Sequence, residues 1–251
     1  MPEWRLAWIT GASSGIGHGL AERLAERGTR CAITARTASK LDDVARKSEL
    51  IEPYPADVTD RPAIARTVDA IEAAHGPIDL AILNAGTWKP MRAFNYDTEQ
   101  VERSMQVNYM GVVNGLDALL PRMIERDHGH IAIVASVAGY RGLPQGAAYG
   151  PTKAALINLA ESLATDLDGT NVKITVINPG FVETPMTEPN EFPMPFIVTA
   201  DRAVDEILKG LDSGKFEIAF PRTFAMLLKV MRRAPYPVFF WIVRNLIRPK
   251  K

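Results

Sequence analysis

Short apolar runs at residues 5–10, 30–35, 51–56, 80–83, 131–136, 172–178 and 217–220, with helix-length stretches between them, limit the fold of this chain more than any other feature. Inner runs such as "LAIL" and "IAIVA" are apolar without alternation, which suits strands covered on both faces. Strands of that kind joined by helices build a parallel sheet, so the expected architecture is a single, doubly wound α/β domain with about seven strands. Residues 1–221 are expected to form this domain, with 185–200 as a lid over a substrate. Residues 222–251 are expected to be a basic, aromatic extension of the same domain.

Composition narrows the chemistry. Cys31 is the single cysteine, which rules out an internal disulfide framework, and the four histidines show no zinc-site spacing, so no metal is expected. The opening "MPEWRLAWITGASSG" passes from an apolar strand straight into a glycine-rich turn, leaving no room for a signal peptide, and a cytoplasmic protein is expected. The 29 basic and 29 acidic residues cancel, yet residues 222–251 hold eight Lys or Arg and no Asp or Glu, so that segment is +8 against −8 for the rest. No nucleic-acid partner is expected.

The apolar runs end in Thr10-Gly11, Asn84-Ala85-Gly86, Ser136 and Asn178-Pro179-Gly180. Ligands of such sheets bind outside the carboxyl ends of the strands, so these small and polar groups outline one crevice. "TGASSGIG", residues 10–17, follows the first strand and opens a helix. Glycines allow a tight turn and close approach, while the helix N-terminus offers free N–H groups to a pyrophosphate. A carboxylate at the end of the second strand would bind an adenosine ribose and repel a 2′-phosphate. This strand ends Ala35-Arg36 instead, and the arginine favours NADP(H), with NAD(H) as the alternative. Asp57 either accepts from an adenine amino group or caps the following helix.

Tyr149 and Lys153 stand four apart in "AAYGPTKAAL" with Pro151 between them. Leu156, Ala160, Leu163 and Leu167 continue a helical stripe, so a helix starting near residue 147 or 148 would hold Pro151 in its first turn, where proline is tolerated. Side chains four apart lie about 5–6 Å from each other. At that distance, with an effective dielectric near 20, an ammonium favours phenolate by about 3 kcal/mol, enough to lower a tyrosine pKa near 10 by up to about 2 units. Asn108 interrupts a second apolar stripe of Val101, Met105 and Val112, on a helix with a capping-box-like start at Asp97 and Gln100. A buried amide there is either satisfied locally or part of a polar site.

Taken in order, Thr10-Gly11-x-x-x-Gly15-x-Gly17, Asn84-Ala85-Gly86, Asn108, Ser136, Tyr149-x-x-x-Lys153 and Pro179-Gly180 with Thr184 resemble the classical short-chain dehydrogenase/reductase family over about residues 4–220. The resemblance implies a Rossmann fold and hydride transfer between a nicotinamide cofactor and a carbonyl or alcohol. It implies Tyr149 as acid/base, Ser136 bonded to the substrate oxygen, and Lys153 on the nicotinamide ribose. Asn108 would hold a water that links Lys153 to solvent. Gly11, Ser13, Ser14, Gly15, Ile16, Gly17, Arg36, Asp57, Val58, Asn84, Ala85, Gly86, Pro179, Gly180 and Val182 would surround the cofactor, with Thr184 on its carboxamide. A homodimer or homotetramer is expected. Leu83 stands where the family often has a second Asn, and Ser13 and Ser14 stand where some NADP-users carry a cation. A non-catalytic, dinucleotide-sensing protein of the same fold is the alternative that loss of Tyr149, Lys153 or Ser136 would have favoured.

The lid "PMTEPNEFPMPFIV", with Trp88, Met91, Phe94, Tyr140 and Leu143, points to an apolar substrate. The tail contains a six-residue apolar run at 238–243, far short of the roughly 20 residues a membrane span needs. Two readings stay open for it. A stripe of Phe239, Ile242, Val243 and Leu246 packs on the domain or another subunit, or the segment lies on an anionic membrane surface.

Overall fold

The computed structural model describes residues 4–247. Among them seven strands form: β1 (Leu6–Thr10), β2 (Arg30–Thr34), β3 (Ile51–Pro53), β4 (Leu80–Leu83), β5 (Gly129–Val134), β6 (Val172–Pro179) and β7 (Glu217–Phe220). They make one wholly parallel sheet in the order β3-β2-β1-β4-β5-β6-β7. The helices are α1 (Gly15–Glu26), α2 (Ala38–Ala45), α3 (Arg61–His75), α4 (Thr98–Met105), α5 (Gly111–Glu125), α6 (Gly150–Asp166), α7 (Ala200–Asp212), α8 (Arg222–Arg233) and α9 (Tyr236–Ile242).

Successive strand side chains point to opposite faces, and β1 shows the result. Leu6 and Trp8 join the core under α3, α5 and α6, whereas Ala7 and Ile9 join the core under α1, α2 and α7. Fully buried residues such as Leu20 and Leu24 of α1 each contribute roughly 1.5–3 kcal/mol. The Trp8 indole is satisfied inside the core by donating to Thr34 Oγ1 at 2.9 Å. Strand β3 is shorter than its apolar run because Pro53 and Pro55 have no N–H to donate, although Tyr54 and Ala56 still bond the β2 side at 2.8 and 3.1 Å.

The chain winds outward from β1 to β3, then crosses to β4 on the other side of β1. The crossovers diverge at the carboxyl ends of β1 and β4, which opens a crevice there. Leu83, at the end of β4, is buried over Gly115, where an added methyl would come within 2.8 Å of Leu83 Cδ2. The leucine fills this interior space with apolar contact.

Phe224, Ala225, Leu228 and Met231 of α8 and Phe239 of α9 are buried in the same core as α3, α5 and α6, with Ile242 and Val243 packed against it. Arg141 fastens this segment, donating to the Arg232 carbonyl at 2.6 Å and stacking 4.7 and 4.4 Å from the Tyr236 and Phe239 ring centres. One face of the tail therefore packs on the domain. The Leu246 side chain and Arg248, Lys250 and Lys251 lie outside the described residues. Among those described, no helix is long and apolar enough to cross a membrane, and no group of His, Cys, Asp and Glu converges as a metal site.

Candidate active site

A cleft of about 460 Å³ runs along the carboxyl ends of the strands. Its pyrophosphate end is built by the turn after β1. Gly11 turns the chain at φ 66°, a conformation that a side chain would strain. Gly17 faces away from the cleft, where a methyl would lie 2.6 Å from both Asn84 Nδ2 and the Gly11 carbonyl, so glycine lets α1 approach the sheet. Thr10 and Asn84 lock the two strand ends together. Thr10 Oγ1 accepts from the Asn84 and Ala85 N–H groups at 3.0 and 3.1 Å, and Asn84 Nδ2 donates back to the Thr10 and Gly11 carbonyls at 3.0 and 3.2 Å. Ser14 caps α1 without a side-chain bond, and the first turn holds no acidic residue. The open N–H groups at this helix start, carried by residues that line the cleft, fit the diphosphate of a dinucleotide.

At the adenosine end, Arg36 and Asp57 line the cleft together with Thr37, Lys40 and Arg103, which the sequence reading missed. Lys40 sits in the first turn of α2, one turn beyond Arg36, and supplies a cation that the glycine loop lacks. Asp57 does not cap α3. Its Oδ1 accepts from the Thr59 N–H and hydroxyl at 2.9 and 2.8 Å, while Asp60 caps α3 through the Ala63 N–H at 2.9 Å. Burial pushes the Asp57 carboxyl up, but the Thr59 bonds and the charges of Arg36 and Arg103 outweigh it and hold the group below its ordinary range.

The chemical centre lies between β4, β5 and α6. Helix α6 begins at Gly150, with Tyr149 as its N-cap and Pro151 in the first turn. This is two or three residues later than the sequence indicates, so Tyr149 precedes the helix and Pro151 falls where an N–H would have no partner. The first intrahelical bond still runs from the Lys153 N–H to the Tyr149 carbonyl at 3.2 Å. Lys153 Nζ lies 5.5 Å from the Tyr149 ring centre and donates to the Val134 carbonyl at the end of β5 at 2.8 Å.

The expected depression of the tyrosine pKa is not found. Burial pushes the phenol up to about 12 against an opposing hydrogen bond from Ser136, and burial pulls Lys153 down to about 7. Desolvation thus moves both groups towards their neutral forms and leaves Lys153 about half protonated near pH 7. Ser136 caps the short turn Val137–Gly139 by accepting from the Ala138 N–H at 3.1 Å, and donates to the Pro179 carbonyl at 3.3 Å.

Asn108 lies in a π-helical turn, Gln106–Met110, inserted between α4 and α5. Its buried amide accepts from the Thr87 N–H at 2.7 Å and donates to the Thr87 carbonyl at 3.0 Å and to Thr152 Oγ1 at 3.2 Å. The side chain thereby joins the loop after β4 to α6 from behind the cleft wall. A methyl at Gly86 would lie 3.4 Å from Asn108 Oδ1 and 3.8 Å from Lys153 Nζ, so both groups converge on this glycine. Gln100 departs from the capping-box reading, because its side chain donates to the Lys89 carbonyl at 2.7 Å. The backbone part of that start is present, with Asp97 accepting from the Gln100 N–H at 3.2 Å.

Ser13, Ser14, Gly15, Ile16, Val58, Ala85, Gly86, Pro179, Gly180, Val182 and Thr184 all line the same cleft as Ser136, Tyr149 and Lys153. Beyond the tyrosine the wall turns aromatic. Trp88 stands edge-on to Tyr149 at 5.1 Å, and Phe181 lies 6.0 Å from Phe192 and 5.8 Å from Phe224. Trp88 Nε1 also donates to Asn190 Oδ1 at 2.8 Å. Leu143 and Met186 line this end, but three expected residues do not. Phe94 is 91% exposed, Met91 is buried elsewhere, and Tyr140 donates to Glu217 Oε1 at 2.5 Å. The same Glu217 oxygen accepts from Asn178 Nδ2 at 2.9 Å, and its other oxygen pairs with Lys229, which ties α8 to the ends of β6 and β7.

Fold and cleft together define a dinucleotide-binding α/β oxidoreductase. The sequence pattern of the short chain dehydrogenases matches residues 5–193, and the chain belongs to that family. It is 39% identical over 247 residues to an uncharacterized oxidoreductase of Myxococcus xanthus (strain DK1622), covering 97% of this chain and 98% of that one. A short chain dehydrogenase of Burkholderia cenocepacia J2315, solved in complex with NADP, superposes with a TM-score of 0.85 at 27% identity, covering 99% of this chain and 100% of that one. A family member from Burkholderia phymatum, in complex with NAD, shares the fold at a TM-score of 0.84 and 22% identity over 98% of each chain.

Proposed function

We propose that the protein reduces an apolar carbonyl compound with NADPH, Tyr149 protonating the carbonyl oxygen. The observation that carries this reading is the convergence of Tyr149, Ser136 and Lys153 on one cleft wall beside a helix N-terminus open to a diphosphate. A nicotinamide bound in the cleft would supply the hydride to the carbonyl carbon. Ser136 donates to the carbonyl oxygen and orients it towards the Tyr149 hydroxyl. Lys153, next to Gly86 and the end of β5, holds the ribose and stabilises the phenolate left after proton transfer. Asn108 fixes the Thr87 backbone and would hold a water that links Lys153 to solvent, the path by which a solvent proton would reach the Tyr149 phenolate through Lys153. Thr184, which lines the same cleft, would contact the carboxamide. The neutral tyrosine suits the reductive direction, because the proton donor is already in place.

Arg36 and Lys40, with Arg103 nearby, support NADP(H), since cations at this end of the cleft neutralise a ribose 2′-phosphate. NAD(H) binds the same cleft without that contribution. The wall of Trp88, Phe181, Phe192 and Phe224 supports an apolar substrate, and the 185–200 segment is its cover. Retention of Ser136, Tyr149 and Lys153 argues against a purely sensing role.

NADPH oxidation followed at 340 nm across ketones, aldehydes and quinones, with NADH in parallel, tests the reading. Turnover of apolar carbonyls with a preference for NADPH is expected. Cofactor binding without turnover of any member would leave the sensing alternative in its place.

A further inference from the structure

Only one face of α8 packs on the domain. Phe224, Ala225, Leu228 and Met231 are buried, and at 3.6 residues per turn Met226, Leu227 and Val230 fall on the opposite side. These three are 63, 51 and 62% exposed. On α9, Val238, Phe240 and Trp241 are 49, 52 and 57% exposed. Large apolar side chains exposed together along two helices mark an interaction site.

The surrounding charge identifies the partner. Arg222 and Arg233 lie along one edge of the exposed face of α8, Arg232 stands on its domain-facing side and Arg244 follows α9, all four exposed. Among the described residues none of the four has an acidic side chain within 4.0 Å, and residues 222–251 contain no Asp or Glu at all. A second copy of this chain fits poorly, because a two-fold interface would set this patch against itself and bring like charges together. Apolar side chains with an aromatic belt, rimmed by unpaired arginines, match the interface of an anionic bilayer. We infer that α8 and α9 form a docking surface by which the protein binds anionic membranes peripherally. Phe224, on the buried side of α8, lines the cleft, so docking would set the apolar end of the site beside the lipid phase.

Co-sedimentation of the full-length protein with phosphatidylcholine vesicles, with and without phosphatidylglycerol, tests this inference. Binding to the anionic vesicles about fivefold or more above the neutral ones is expected, falling severalfold between about 50 and 300 mM salt. Arg222→Glu with Arg233→Glu, and separately Val230→Ser with Trp241→Ser, should each reduce binding about fivefold or more while the thermal midpoint and NADPH binding stay those of the unaltered protein. Equal sedimentation with both vesicle types, or binding indifferent to both variants, would overturn the inference. So would conversion of a larger species to a smaller one by Val230→Ser with Trp241→Ser in analytical ultracentrifugation without vesicle binding by the unaltered protein, which would assign the face to self-association.

Discussion

Lys153 Nζ sits 5.5 Å from the centre of the Tyr149 ring and is anchored to the Val134 carbonyl at 2.8 Å. The ammonium is thus held beside the phenol by the end of β5 rather than by the helix alone. Burial shifts both groups towards their neutral forms, with Lys153 near 7 and Tyr149 near 12.

This has a consequence for stability in the cofactor-free protein. Below pH 7 both folded and unfolded chains carry the Lys153 charge, and the folded state bears the full burial cost. Between about 7 and its ordinary 10.5 the unfolded chain binds the extra proton, so this residue's contribution to stability rises with pH. Lys153→Met is expected to raise the thermal midpoint at pH 6 by roughly 3–10 °C, since about 1 kcal/mol moves a domain of this size by 2–4 °C. The gain should shrink as pH rises to 9. Melting curves of both proteins across that range provide the check, and a gain that grows with pH would contradict the assignment.

The two directions of the reaction should respond to pH differently. A phenol near 12 remains a proton donor across the neutral range, so carbonyl reduction should vary little from pH 6 to 8 on its account. Alcohol oxidation needs the phenolate and should accelerate as pH rises, by up to about tenfold per unit where one deprotonation limits the rate. Initial rates in both directions, at saturating cofactor, measure this difference.

Cofactor choice should rest on Arg36, just before α2, and Lys40 in its first turn. Removing both Arg36 and Lys40 as alanines is expected to raise KM for NADPH roughly 10²- to 10⁴-fold, from about 1.5–3 kcal/mol for each of two charge-assisted contacts. KM for NADH should move by less than about threefold, because NADH has no 2′-phosphate for these cations to neutralise. Parallel saturation curves with the two cofactors decide it.

Asn108→Ala leaves the Thr87 N–H and carbonyl without their side-chain partner. The expected cost is about 1–3 kcal/mol in stability. A fall in kcat with KM for NADPH nearly unchanged should accompany it if the residue also serves the proton path. Calorimetry and steady-state kinetics separate the two effects.

Much of this molecule was legible in its sequence for identifiable reasons. The parallel strands announce themselves as unbroken apolar runs, and Thr10, Asn84 and Ser136 mark where those runs stop. The π turn around Asn108 left no trace, since an inserted residue keeps an apolar stripe close enough to helical spacing to read as one helix. Phe94 read as pocket because it is aromatic and near a strand end, yet its loop points it into solvent. Residue spacing predicts a lowered Tyr149 pKa from the lysine charge, whereas burial, with Trp88 packed edge-on to the ring, pushes it up, and burial depends on packing that spacing does not reveal. Lys40 and Arg103 entered the cleft from a helix start and a distant helix face that no local motif marks.

Tyr149→Phe tests the central claim most directly. Removing one hydroxyl should leave the NADPH dissociation constant, read by cofactor fluorescence, within about threefold, while carbonyl reduction falls by about 10³-fold or more, in the upper range of general acid–base catalysis. Carbonyl reduction by the phenylalanine variant at a rate comparable to the unaltered protein would contradict the account.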